Sequence, residues 1–377
     1  MMIALFSCVY TLVGPSPTKW VLGLNKYSHD AGACLISTCG QHSIIVPNER
    51  LSRLKHDGGD TAAATRHALE AVGSSIEDVV AVCANNHHHR VASFEGRLPW
   101  SVPMGLYATS ALSDDNLLPG VPHFELSHHL AHVWCAITQA PFERGLVVVM
   151  DGMGETFAAM QAARDDTRYM HDLRLPEATG YVAVPQGSST LGAPPGHREA
   201  ESAYLFEGST LSRVFKRWVP QRSPSELYNH GFENLESVGA LYSRVSSHIF
   251  GDWNACGKVM GLAPWAGTWA DVQHDPVHAR LLSTPLLRGK LDGEDGEALH
   301  LEWDALEAFD QLPPINGFRA LQKALGPKIL AERSELPAAQ AGMRGSYAAL
   351  AARVQMDLEE ARLMTDCDRM MTSDDRL

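Results

Sequence analysis

The sequence predicts an α/β fold of the ribonuclease-H-like kind, and three observations predict it. Three short apolar runs alternate with tight-turn residues near its start, an alanine-rich helical run follows, and a further apolar run closes the series. Together they give the order β-β-β-α-β. At 377 residues the chain exceeds one small core and suits two lobes.

Each element has its own signal. Trp20–Leu24 (WVLGL) is apolar, SHDAG (28–32) is turn chemistry, and Ala33–Ser37 is apolar again. TCGQ (38–41) turns the chain and Ser43–Val46 is β-branched, which completes a three-stranded meander. Thr61–Val72 has helical composition and spacing, and Asp78–Ala84 (DVVAVCA) is a buried strand. Ser127–Ala140 reads as helix, Pro141–Gly145 as a break, LVVVMD (146–151) as a strand, GMG (152–154) as a turn and TFAAMQAA (156–163) as a returning strand. Two strand–turn–strand hairpins with Gly and Asp in their turns are the phosphate-holding device of the actin, sugar-kinase and Hsp70 superfamily. That superfamily's bilobal fold is therefore the expected architecture. Glu236–Gly251 reads as an amphipathic helix ending at glycine, residues 265–340 as loop-rich, and Tyr347–Met364 as a strong helix.

Composition narrows the function classes. Forty-four acidic against 31 basic residues give a formal charge of −13, and no basic run occurs, so a large nucleic-acid surface is not expected. Seven scattered cysteines without a CxxC pair suit reduced thiols in the cytosol, with neither a disulfide frame nor a zinc ribbon. Residues 1–18 lack a basic n-region and run into Gly14 and Pro15, so they read as an N-terminal extension to a domain at 19–377. No stretch has the eighteen or more apolar residues of a membrane helix, so a cytoplasmic protein without membrane contact is expected.

Chemistry concentrates in a few places. In SHHLAH (127–132), a helix capped by Ser127 puts His128 and His132 at i and i+4 on one face, with His129 pointing elsewhere. Such a pair either presents two imidazoles to one metal or packs at the surface. Asp151 stands at the end of an apolar strand before GMG, where it is either a ligand or a turn-starting residue bonded to its own backbone. Two imidazoles and a carboxylate suit a divalent first-row metal with open positions, iron or manganese before zinc. His29, in the first turn, is either a general base toward an alcohol or a backbone-bonded turn residue. Gly32, Gly152 and Gly154 either let phosphate oxygens approach the backbone or serve the turns themselves. ERLSRLKH (49–56) and NNHHHR (85–90) are polar clusters beside strand ends, for anion or acceptor binding or for solvent. Lys258, flanked by glycine in GKVMGLAP, is placed to touch a nucleotide but lacks the spacing of a P-loop.

The segments GLNKYSHDAGACLI, ERLSRLKHD, SHHLAHVWCA, VVVMDGMGE, ESVGALYSRVSSHIFG and GKVMGLAP, in that order, resemble the carbamoyltransferase family of the nodulation-factor, cephamycin and tobramycin enzymes. They run from Leu22 to about Pro264, with a fainter match to about Ala361. The resemblance implies an N-terminal domain like the tRNA threonylcarbamoyl transferase, with the actin-type fold, joined to a YrdC-like domain. In the family the YrdC-like domain makes carbamoyladenylate from carbamoyl phosphate and ATP, and the first domain passes the carbamoyl group to a substrate hydroxyl. His128, His132 and Asp151 match three ligands of the family's metal, usually Fe2+, and His29 matches the base for the acceptor hydroxyl. Family members continue past the last helix into a glycine-rich turn, a further aspartate ligand and the YrdC-like domain. Here the text stops after TDCDRMMTSDDRL, so a truncated fold, with that domain supplied separately if at all, is expected. The alternatives are a non-catalytic relative that binds a nucleotide or partner, and a small-molecule kinase of the same fold.

Overall fold

The computed structural model describes residues 18–25, 30–58, 61–85, 118, 120–152, 154–178, 197–220, 237–250, 255–267, 283–288, 300–302 and 338–360. The chain is mixed α/β and divides into two compact units. The first comprises Met1–Val149, Glu155–Ala178 and Ala203–Val214, and the second Met150–Gly154, Thr179–Ser202 and Phe215–Leu377.

In the first unit, β1 (Trp20–Asn25), β2 (Gly32–Ser37) and β3 (Ser43–Pro47) form the expected antiparallel meander. A short helix, α1 (Asn48–Ser52), precedes α2 (Ala62–Ala71), and β4 (Val79–Asn85) then pairs parallel to β1. The sheet continues through β5 (His123–Leu126) to a short β7 (Tyr169–Met170), both parallel, in the order β3-β2-β1-β4-β5-β7.

Alternation along the central strands explains why this sheet is covered on both faces. Trp20, Leu22 and Leu24 pack with Val82, Ala84 and the α2 residues Ala64, Ala68 and Leu69. Val21 and Cys83 point the other way, toward Leu130, Ala131 and Val133 of α3 (His128–Ile137) and Val147 and Val149 of β6 (Arg144–Met150). Sandwiched strands of this kind read as continuous apolar runs. Gly32 serves this packing, because a Cβ there would lie 2.9 Å from the Val46 carbonyl oxygen on β3.

One expectation is corrected. Phe157–Ala162 of the TFAAMQAA stretch is a helix, α4, instead of a returning strand. Ala, Met and Gln are strong helix formers, and helical spacing buries both Phe157 and Met160. The neighbour of β6 is instead β8 (His197–Glu207), followed in the order β6-β8-β9 by β9 (Thr210–Pro220). Gly208, at φ 55°, makes the turn between these two long strands.

The second unit holds α5 (Val238–Phe250), α6 (Cys256–Leu262), a 3-10 turn at Ala263–Gly267, the two-stranded pair β10 (Leu287–Arg288) and β11 (His300–Leu301), and α7 (Ala338–Glu360). Tyr347–Ala351 of α7 are buried in succession, which the small side chains of Ala348, Ala349 and Ala351 permit. Arg353 and Asp357 of α7 pair at 2.6 Å, and Asp357 also accepts the Leu286 amide at 2.7 Å.

No helix among the described residues is long and apolar enough to cross a membrane. The described cysteines, Cys34, Cys39, Cys83, Cys135 and Cys256, are free thiols. The N-terminal extension through residue 17, His29, residues 86–90 of the NNHHHR cluster, most of 265–340 and the tail from 361 lie outside the described residues.

Candidate metal centre

The parallel strands end level. Asn25 of β1 stands opposite Asn85 of β4, and Asn85 opposite Leu126 of β5, so the segments that follow them leave from one rim of the sheet. Ligands of open α/β sheets bind outside such carboxyl ends. From β5 the chain passes through Ser127 directly into α3. Ser127 occupies the N-cap position in extended backbone, but its hydroxyl makes no capping bond.

On α3 the two exposed-side histidines meet as their spacing predicts. His128 and His132 have ring centroids 4.9 Å apart, with their Nε2 atoms 3.2 Å from each other. His129 is fully buried. Asp151 follows β6, whose Val147 and Val149 pack in the same core as Val133 of α3. The covalent chain therefore delivers its carboxylate near the histidines. One ligand atom from each of His128, His132 and Asp151 lies within 4.8 Å of the others.

This donor set fits a divalent metal. With metal–nitrogen bonds of about 2.1 Å, an N···N separation of 3.2 Å corresponds to an angle of about 100° at the ion, between octahedral and tetrahedral values. Two imidazoles and one carboxylate leave positions open for an exogenous oxygen ligand. His132 is exposed while His128 and Asp151 are half-buried, so a ligand reaches the centre from solvent.

The loop after Asp151 is tied down by its neighbours in the second unit. The Gly154 amide donates to the Glu199 carbonyl at 3.1 Å, and the Gly154 carbonyl accepts from Arg198 Nη1 at 3.1 Å. Ser237 Oγ donates to the Gly152 carbonyl at 2.8 Å. Gly154 is thus buried with its amide already committed. Two buried ion pairs stand behind it on β8 and β9: Lys216 with Glu199, and Arg217 with Glu201, the latter at 2.6 Å. None of these five charged residues carried a signal in the sequence, because charges inside a strand read as solvent-facing.

The remaining predicted residues divide. The SHDAG and ERLSRLKHD segments meet: His56 Nδ1 lies 2.9 Å from Asp30 Oδ1, and the Ala31 amide donates to the Asp57 carbonyl at 2.8 Å. Asp30, Arg53 and His56 all have positive φ, at 70°, 61° and 58°, backbone strain of the sort that collects at functional sites. Lys258 lies on α6 with its ammonium 5.6 Å from the centre of the Phe250 ring.

No family model matches the chain. It is similar to the nodulation protein NolNO of Sinorhizobium fredii, 25% identical over 164 residues, which are 41% of this chain and 24% of that protein. It is also 26% identical over 160 residues to the uncharacterized protein sll1178 of Synechocystis sp., covering 36% of this chain and 26% of that one. The chain thus spans about a quarter of the length of the curated relatives it matches.

Proposed function

We propose that this chain is the transfer domain of an O-carbamoyltransferase, with the bilobal actin-type fold, acting on a hydroxyl of a sugar-like or secondary-metabolite acceptor in the cytoplasm. The observation that carries the reading is the convergence of His128, His132 and Asp151, contributed by a helix and a strand end, into one open donor set. The β3-β2-β1-β4-β5 order, the motif resemblance and the similarity to a nodulation protein support it.

In this reading His128, His132 and Asp151 hold a divalent metal, Fe2+ first. When bound, it supplies a positive charge beside the phosphate of carbamoyladenylate. The chain's residues do the rest. His29 takes the proton of the acceptor hydroxyl as that oxygen bonds to the carbamoyl carbon. The bond from that carbon to the phosphate oxygen breaks, and AMP leaves with the electron pair. Gly32, Gly152, Gly154 and Lys258 form the nucleotide side, Gly154 through the shape of its loop because its amide is engaged. Carbamoyl phosphate and ATP are consumed upstream, by a YrdC-like domain that supplies the adenylate. The charge of −13 argues against unaided RNA binding and so favours a small-molecule acceptor.

Anaerobic Fe2+ titration followed by calorimetry with AMP, on wild type and His132→Ala, tests the proposal. Iron-dependent AMP binding that His132→Ala weakens at least tenfold is expected, as is loss of transfer from supplied carbamoyladenylate in His29→Ala. Folded wild-type protein that binds neither iron nor AMP would overturn it.

A further inference from the structure

The geometry points to Ser237, which precedes α5, and Gly239, in its first turn, as positioning residues for the metal ligand Asp151. This inference rests on the metal reading above and deepens it.

Helix α5 meets the Asp151–Gly152 peptide more closely than any side chain permits. A Cβ added at Gly239 would lie 2.5 Å from the Asp151 carbonyl carbon, 2.5 Å from the Gly152 nitrogen and 2.6 Å from the Asp151 carbonyl oxygen. All three are backbone atoms, so no rotamer change relieves the contact. Ordinary carbon contacts are about 3.5–4.0 Å, so an alanine there displaces either the peptide or the helix by about 1 Å. Metal ligation tolerates errors of about 0.2 Å.

The contact is held in place from both sides. Ser237 Oγ donates to the Gly152 carbonyl at 2.8 Å and accepts the Ala240 amide at 2.9 Å, so one hydroxyl caps α5 and ties it to the loop. The next free amide of the turn, Val238, donates at 2.8 Å to Glu201 Oε1, whose other oxygen holds Arg217 at 2.6 Å. Arg198, fully buried, fixes the far end of the loop through the Gly154 carbonyl. A backbone gripped at Gly152 and Gly154, with glycine-only clearance behind Asp151, has little freedom to move its carboxylate. Residues one step behind a ligand typically change metal affinity 10–100-fold when altered.

The test is Co2+ titration of the full chain, followed by its visible d–d absorption, for wild type, Gly239→Ala, Ser237→Ala and Ser237→Thr. Gly261→Ala, whose added Cβ meets nothing within 4 Å, is the control for a helix glycine. Expected are at least tenfold weaker Co2+ binding and an altered band in Gly239→Ala and Ser237→Ala, and wild-type behaviour in Ser237→Thr and Gly261→Ala. Thermal unfolding of each metal-free protein accompanies the titration; if Gly239→Ala fails to fold, the contrast between Ser237→Ala and Ser237→Thr decides. Wild-type affinity and spectrum in both Gly239→Ala and Ser237→Ala would overturn the inference while leaving the metal reading intact. Wild-type protein without any Co2+ band would overturn the metal reading, and this inference with it.

Discussion

Strands β1 and β8 are both buried along nearly their whole length, yet they achieve it by opposite chemistry. In β1 the side chains are apolar on both faces, and Trp20, Leu22 and Leu24 are at most 4% exposed. In β8 the buried positions include Arg198, Glu199 and Glu201, each 0% exposed, matched by Lys216 and Arg217 on β9. The first arrangement draws its stability from transfer of apolar surface and tolerates swaps between apolar side chains of similar volume. The second gains little net stability from its pairs but is intolerant of losing one partner. The intolerant region is the one that grips the loop after Asp151.

Breaking a pair should give the largest effect. Glu201→Ala strands both the Arg217 guanidinium and the Val238 amide, and denaturant unfolding should show a loss of about 3–5 kcal/mol. Next, Leu22→Ala in the apolar strand should cost about 3 kcal/mol, while Leu22→Met should cost under about 1.5 kcal/mol. A smaller effect tests how dry the apolar side is. Burial pushes the Cys83 thiol up to about 12 from its ordinary 9.0, so above pH 9 the unfolded chain ionises while the folded one does not. Stability from this source is full below pH 9 and falls as pH rises toward 12, by about 1.4 kcal/mol at pH 10. Cys83→Ala should flatten that part of the pH–stability curve. The same contrast orders thiol labelling: exposed Cys39, whose thiol is held low chiefly by a hydrogen bond to Ser37, should react before Cys83. The smallest effect sharpens the comparison most. Replacing Glu199 and Lys216 together, by Leu and Met, should leave stability within about 1–2 kcal/mol of wild type, whereas Lys216→Met alone should be severe.

The same contrast explains what could be read in advance. The meander, α2 and β4 were legible because apolar runs between turn residues have one sensible pairing. The strands β8 and β9 were not, since HREAESAYLFE looks solvent-facing until its charges find partners. The stretch TFAAMQAA misled because Thr and Phe after a glycine turn imitate a strand start, while the alanines decide for helix. In the candidate centre, i and i+4 spacing made the His128–His132 pair legible, and the strand end marked Asp151. Gly239 was invisible: in SVGALY a glycine reads only as a weak helix former, and its need appears once the peptide behind it is in view.

The level ending of β1, β4 and β5 has a consequence for how this protein tolerates change in length. Asn85 ends β4 at that rim and His123 opens the parallel β5, and the 37 residues between them belong to neither paired strand. Doubling such a connection costs only about 0.6 kcal/mol in closure entropy. The chain between β4 and β5 can therefore change in length at small entropic cost while the two strands keep their register.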